Sequence, residues 1–537
     1  MSAPQQFPLI KGKEENWPIT KLHKNHKDFL TEVVCKSFKA LRKRYPTDTD
    51  LYRILTQTIS KELARIAEEP WNCDPKDDQS FWELMDHAVK NKIEAPKLLE
   101  KIIQRYVSEM QSSFSIFYYQ CIAKSVHFLF VHLLKAYSIN DEKTTTEGIF
   151  KFQKLSEKFQ IAGEIQLLQT LATKGTLVLV PTHISNWDSV VLGLATKQLG
   201  LPPLSWGAGL NLFNNRGFRF IFSQLGTYKV DRRKKNIPYL QTQKDYTCLL
   251  LEKGCHMIFY PSGTRSRSGS IETDLKLGLL GTPLEAQIHN FQQDGPQADK
   301  FFIVPIALNY HCVLEAKQLI EESGLQTDIT RTHTPNCCST HLALSKNILC
   351  KGSEIFINIG MPLDVLGNRV DIEGNSYDSN DQAVDLYRQL MDLAAQPATL
   401  KPFNDWVKTL RNKIIATYYR INQVLSSHLV AFVSYELIQH STEKIIIPYE
   451  LFMATLAKVY DALLLLYKQK KIDFTPILLH SNLDVIAKDG VAKLGIYHIK
   501  KPLVITKNKE ILVQDSCTLL YYHNRLIGYG LEKNITQ

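Results

Sequence analysis

The middle of this chain is predicted to be an α/β fold, between a helical region at its start and a helical region with a small β part at its end. Three observations predict this. Short β-rich runs, TLVLV at 176–180, MIFY at 257–260 and FIVPIAL at 302–308, alternate with longer helical or loop segments. Before about residue 150 the chain shows charged helical faces instead and no catalytic motif. The composition, 44% hydrophobic and 22% charged over 537 residues with 25 Gly and 22 Pro, suits a folded chain and excludes disorder, collagen and a disulfide-held mini-protein. At roughly 100 to 200 residues per domain, about three domains are expected, each able to bury its own core.

Taken in order, KSFKALRKRY and TQTISKELARIAEE carry the helical pattern of the first region, placed at 1–150. Near its end lies the most apolar stretch, SSFSIFYYQCIAKSVHFLFVHLLK. Lys124, His127 and His132 interrupt it, so no clean run of about 20 apolar residues remains to span a bilayer. It reads either as a core helix or as a surface for peripheral contact with an anionic leaflet. The second region, 151–400, holds the β-rich runs, and from Asp381 to Ala395 Val384, Leu390, Met391 and Ala394 follow at helical spacing. The prolines of QPATLKP punctuate the chain near 400. The third region, 401–537, is expected to be helical to about 470, including KVYDALLLLY, and then to alternate short strands through KPLVITKNKEILVQDSCTLLYYHNRLIGYGL. No repeat is present in the sequence, which argues against a solenoid.

The formal charge of +10 fits an anionic partner without choosing among nucleic acid, phospholipid and a phosphorylated metabolite. No RNP, zinc-finger or helix-turn-helix signature supports nucleic acid. Lys11 and Lys13 stand where a signal peptide needs its apolar core, so a cytoplasmic start is expected. The ten Cys show no CxxC pair and no zinc spacing, and the adjacent Cys337 and Cys338 do not suggest a bridge framework, so reduced thiols and no metal are expected.

The strongest local signal is PTHISNWDSV, where His183 and Asp188 stand five apart as strand gives way to turn and helix. A His at the carboxyl end of a strand faces the ligand crevice of an α/β sheet. An Asp one helical turn later can accept its Nδ1 proton and leave Nε2 as a base. The alternative is a His in an Asx-type turn with the Asp capping the next helix. In YPSGTRSRSG at 260–269, a strand runs into a Gly-containing turn that presents Arg265 and Arg267 on alternate positions. Two guanidiniums there suit a phosphate, and the alternative is a basic surface loop. Between these segments, RGFRFIFSQLGTYKVDRRKK sets seven cations, Arg216 to Lys235, against Asp231 alone. Such a run is commonly a solvated face, as for Lys234 and Lys235. Arg232, directly after LGTYKV, could be aimed by a strand at the crevice of His183 and Arg265. P-loop, dinucleotide, GxSxG, HExxH and EF-hand patterns are absent from the sequence.

In their order, HISNWD, GAGLNLF with LGTYKVDRR, YPSGTRSRSG and VPIALNY at 304–310 resemble the four blocks of the glycerolipid acyltransferases. Within that superfamily the chain is most similar to the glycerol-3-phosphate acyltransferase branch. YYRINQV at 418–424 and LLYYHNRLI at 519–527 look like that branch's C-terminal region, so the resemblance runs from about 150 to 537. It implies an acyltransferase-type mixed sheet flanked by helices. It further implies His183 as general base, Asp188 as its orienter, Arg232, Arg265 and Arg267 as phosphate anchors with Thr264 beside them, and Gly263 keeping the backbone close to substrate. The third block departs from its common form in carrying Ser262 where an acidic residue is usual.

The activity implied is transfer of a fatty acyl group from acyl-CoA or acyl carrier protein to a hydroxyl of glycerol 3-phosphate, giving lysophosphatidic acid. The acyl thioester is a co-substrate, and no cofactor is implied. The same blocks would serve dihydroxyacetone phosphate or a lysophospholipid as acceptor, or a non-catalytic lipid-binding relative. The charged N-terminus, the basic net charge and the aromatic run at 114–134 lead one to expect a cytoplasmic protein, peripheral at the cytosolic face of a membrane.

Overall fold

A computed structural model describes residues 10, 12–133, 158–214, 216–324, 353–395, 400–439 and 446–535. Cys337, Cys338 and the expected boundary near 150 lie outside these residues, and the boundary expected between 400 and 401 falls at the start of the helix Leu400–Ile421. Seven strands form the central sheet: β1 (Phe159–Gly163), β2 (Gly175–Pro181), β3 (Ser205–Gly209), β4 (Thr227–Val230), β5 (Met257–Ile258), β6 (Lys300–Tyr310) and β7 (Ile355–Ile359). Their order across the sheet is β1-β7-β6-β2-β5-β3-β4. β6 meets β7 antiparallel, while β6, β2, β5, β3 and β4 run parallel, so the sheet is mixed as the resemblance implies. The carboxyl ends of those five parallel strands therefore emerge at one edge, where a ligand crevice forms in an open α/β sheet.

Alternation along the central strands divides the core in two. Leu177 and Leu179 of β2, with Phe302, Val304, Ile306 and Leu308 of β6, face one side. Val178, Val180, Phe301 and Ile303 face the other. This period of two with both faces apolar marks a strand covered on both sides by helices. On the first side lie helices Ile165–Lys174, Asp188–Gln198 and the C-terminal helices Ser426–Gln439, Tyr449–Lys468 and Leu483–Lys493. The N-terminal helices cover the second side together with Ile237–Glu252, Leu277–Asp294 and Leu400–Ile421. Each hydrophobic core thus continues through residues from the regions on both sides of 400.

Three expectations are corrected. Of MIFY, only Met257 and Ile258 form a strand, because the chain turns at Tyr260, although the Phe259 amide still donates to Leu179 O at 2.9 Å. The helix expected from Asp381 begins at Leu386, since Ala383–Val384 pair antiparallel with Ser376–Tyr377 across a turn in which Asp381 takes φ 58°. In the last region Leu503–Ile505 and Glu510–Val513 are strands, but Ser516–His523 is a helix. Asp515 caps it by accepting from Thr518 N at 3.1 Å, and Cys517 to His523 are all buried. A short helix buried all round has no polar face to reveal its period.

The apolar stretch near 116–133 is a helix with two characters. Phe130 is buried against Phe159 and Trp187. Phe117 and Phe128 are 68% and 62% exposed, and Tyr118 packs edge-on to the exposed Phe220 at 5.1 Å. It is therefore only in part the core helix considered above. Among the described residues no helix is long and apolar enough to cross a membrane.

Candidate active site

β2 ends at Pro181, and the chain then turns through His183 into the helix that begins at Asp188. Asp188 is wholly buried, and four donors meet it. Its Oδ2 accepts from the Ile184 and Ser185 amides at 2.7 and 2.9 Å and lies 2.8 Å from His183 Nδ1. Its Oδ1 accepts from Tyr310 Oη, at the end of β6, at 2.8 Å. An ionised carboxylate only accepts, so His183 Nδ1 carries the proton and the Nε2 lone pair is free to act as a base. The position at a helix N-terminus further favours the negative charge. Asp188 opens the helix without capping it: the N-cap is Trp187, and the carboxylate accepts instead from the loop before the helix, the imidazole and Tyr310.

The imidazole is fixed on its other sides too. Tyr260, just after β5, stacks on it with ring centroids 4.1 Å apart, and Tyr260 Oη lies 2.9 Å from Ser189 Oγ. The His183 amide donates to Glu272 Oε1 at 2.6 Å. Burial of Glu272 raises its pKa, opposed by that amide and by the charge of Arg525.

His183 lines a cleft of about 210 Å³ together with Arg232, Thr264, Arg265 and Arg267. The strand ends thus bring all three arginines to the imidazole's own cleft. Arg265 lies 3.4 Å from Glu315 Oε1, while Arg232 and Arg267 have no carboxylate partner among the described residues. Arg232 is exposed, yet desolvation by the surrounding walls and the charge of Arg265 push its pKa down. Three guanidiniums, two of them without a carboxylate partner among the described residues, make a place where an anion is favoured.

Arg232 is aimed by its neighbours. Arg233 donates to Asp231 and Asp74, and its guanidinium lies 3.9 Å from the centre of the Trp71 ring. Lys234 is buried rather than solvated, as was expected of it, because it pairs with Glu109 and Glu62 of the N-terminal helices. Asn236 donates to Glu62 Oε1 at 2.7 Å and caps the helix Ile237–Glu252. With residues on either side anchored, Arg232 is left for the cleft; Lys235 remains exposed as expected.

Gly263 does not line this cleft. It takes φ 73° in the turn, and its amide donates to Tyr260 O at 2.9 Å, so the turn itself calls for glycine. Ser262 Oγ donates to Thr264 O at 2.9 Å, inside the same turn. Gly269 answers a different need: a Cβ there would stand 2.1 Å from Tyr521 O, so glycine lets the C-terminal helix approach.

Glu315 is a site residue that the motifs did not mark. Its Oε1 accepts from the Asn186 amide at 2.6 Å and Ser185 Oγ at 3.1 Å, tying the His183 loop to Arg265. It sits beyond VPIALNY in a turn with no recognisable spacing. Tyr260 and Tyr310, by contrast, lie within quoted blocks, and their hydroxyls were the available signal. Among the described residues, no group of three or more His, Cys, Asp or Glu is gathered to hold a metal ion.

Comparison with known proteins points to the same part of the chain. Residues 163–309 match the family model described as Acyltransferase. The chain is 30% identical over 165 residues to a glycerol-3-phosphate acyltransferase of Aeromonas hydrophila, covering 30% of this chain and 20% of that protein. It is 31% identical over 159 residues to one of Pseudoalteromonas translucida, covering 29% and 18%. To a protein of Caenorhabditis elegans named probable glycerol-3-phosphate acyltransferase, mitochondrial, it is 28% identical over 185 residues, covering 32% and 24%. The matched stretch spans about a fifth of these relatives' length. Residues 163–309 are thus similar to the family described as Acyltransferase, and the chain is similar over 159 to 185 residues to part of proteins named glycerol-3-phosphate acyltransferase.

The hydrogen-bond pattern makes a direct prediction. In protein labelled with ¹⁵N-histidine, with the His183 signals assigned by their loss in His183→Gln, the neutral ring will be protonated at Nδ1 and bare at Nε2. The opposite tautomer would contradict the role assigned to Asp188.

Proposed function

We propose that this protein transfers a fatty acyl group from a thioester, acyl-CoA or acyl carrier protein, to a hydroxyl of glycerol 3-phosphate, forming lysophosphatidic acid. The observation that carries this reading is that a base-ready imidazole and three arginines line one cleft. His183 Nε2 removes the proton as the acceptor oxygen attacks the thioester carbonyl carbon. The carbon–sulfur bond then breaks, and the departing thiolate takes the proton back from the imidazolium, which Asp188 stabilises. No covalent enzyme intermediate and no cofactor is required, since the thioester brings its own leaving group. Arg232, Arg265 and Arg267 neutralise the acceptor phosphate, and Thr264 lines the cleft beside them. Positioning two substrates against one base supplies much of the rate.

The product is an amphiphile, and we place the protein peripherally on an anionic membrane, at the cytosolic face. The exposed Phe117, Phe128 and Phe220 support this, with Lys124 and Lys197 nearby; burial, and then the charge of Lys124, lower the pKa of Lys197.

Three outcomes test the proposal. With palmitoyl-CoA and glycerol 3-phosphate, His183→Ala will lower turnover about 10²- to 10⁴-fold without unfolding the chain; near-normal turnover would remove His183 from the mechanism. Arg265→Ala will raise KM for glycerol 3-phosphate about 10- to 100-fold, the value of one charge-assisted bond of about 1.5 to 3 kcal/mol, and leave KM for the donor nearly unchanged. Equal losses for both substrates would count against a phosphate contact. Sedimentation with vesicles containing phosphatidylglycerol will carry down the intact chain, and Phe117→Ser/Phe128→Ser will bind at least about 100-fold more weakly, given about 1.5 to 3 kcal/mol for each buried Phe. Equal binding by the two would take the membrane off this helix.

A further inference from the structure

Arg525 is only 3% exposed, yet every acceptor that its guanidinium meets is neutral. Its Nε donates to Asn309 Oδ1 and Asn422 Oδ1 at 3.1 and 3.0 Å, and its Nη2 to Leu308 O and Asn309 Oδ1 at 2.9 and 2.8 Å. Its Nη1 has no hydrogen-bond acceptor among the described residues. Neither has Asn309 Nδ2, although Asn309 is wholly buried. Because Asn309 Oδ1 already accepts from Arg525, the amide cannot be turned round to conceal this donor.

Arg525 and Asn309 line one small cavity of about 20 Å³ at the carboxyl end of β6, with Ile184, Tyr310, His428 and Tyr521 in its wall. The titratable groups of that wall bring no negative charge. Burial, and then the charge of Arg525, hold His428 well below its usual pKa, so it is neutral, and burial pushes both tyrosine hydroxyls up. Glu272 and Asp188 act on Arg525 only through space, and burial, the larger effect, lowers the pKa of Arg525. Glu272 is taken by the His183 amide and Asp188 by its own four donors. A buried cation without an ionic partner is costly, and two buried donors without acceptors add to that cost.

These features call for a guest that is small, negatively charged and able to accept from two N–H groups. The cavity exceeds the roughly 10 to 15 Å³ that one water needs, so a single monatomic ion fits, while a tetrahedral oxyanion with its four oxygens does not. Both open groups are donors and one of them is a cation, so a metal ion is repelled. We propose that this cavity is a halide site, taking one chloride between Arg525 Nη1 and Asn309 Nδ2. It lies outside the cleft of His183 and does not depend on the reaction assigned to that cleft. Ile184 and Tyr310, which both donate to Asp188, belong to its wall, so the ion braces the support of that carboxylate.

Thermal unfolding and anomalous scattering of the full chain test it. After exhaustive dialysis against sodium gluconate, whose anion is too large for the cavity, the unfolding midpoint will rise as chloride or bromide replaces gluconate at constant ionic strength. The rise will be about 1 °C for each tenfold increase in halide once the site begins to fill. Asn309→Asp keeps the side-chain shape and sets a fixed carboxylate beside Arg525, so its midpoint will be the same in chloride and in gluconate. In crystals of the wild-type protein grown with sodium bromide, the anomalous difference map will show one peak within hydrogen-bonding range of Arg525 Nη1 and Asn309 Nδ2, a result that stands whether or not the variant folds. Equal wild-type midpoints in chloride and gluconate, a halide response retained in full by Asn309→Asp, or a site that holds water and gives no bromine signal would each overturn the halide site. None of these readouts uses turnover, so failure of the acyl-transfer reading would leave them unchanged.

Discussion

A buried carboxylate sets the terms for the rest of the molecule. Asp188 has no exposed surface, and an unpaired charge there would cost several kcal/mol. Four donors remove that cost, and each imposes a position on something else. Two are consecutive amides, which fix the curl of the loop after β2. The third is the imidazole, whose tautomer and direction follow. The fourth is a hydroxyl at the end of β6, which locks the helix start to the neighbouring strand. The parallel run of β2 and β6 is what brings Tyr310 to the same edge as Asp188.

Regions distant in sequence complete the arrangement around that edge. From the N-terminal side, Glu62, Asp74 and Glu109 hold Asn236, Arg233 and Lys234, and this anchoring leaves Arg232 facing the cleft of His183. From the C-terminal side, Arg525 reaches beneath the sheet edge, donating to Asn309 Oδ1, Asn422 Oδ1 and Leu308 O. It joins the segments YYRINQV and LLYYHNRLI to the end of β6. Neither flank contributes His183, but both hold the groups around it. Their packing against the two faces of one sheet explains why the cores extend beyond 151–400.

Sequence reading succeeded where a physical period or a local geometry was complete within a short segment. TLVLV and FIVPIAL are apolar at every position because both faces of their strands are covered, and they fall in β2 and β6. His183 and Asp188 are one turn apart, so their pairing is a local matter. Reading faltered where burial removed the polar face, as in SCTLLYYH, or where pairing outweighed helical spacing, as at Ala383–Val384. It faltered also at Lys234, because a cation's solvation depends on carboxylates more than a hundred residues away, and at Glu315, which no spacing connects to Ser185 or Arg265.

Composition, strand runs and the four blocks by themselves determined the α/β class, the pairing of His183 with Asp188, and which arginines stand near the strand ends. Each of these is a property of residue type or of separation along a few residues. Only the tertiary structure decided that the arginines share the cleft of His183 and that Lys234 is spent on ion pairs. Strand order and helix packing set those distances, because an electrostatic contact acts over a few ångströms of space whatever the length of chain between the partners.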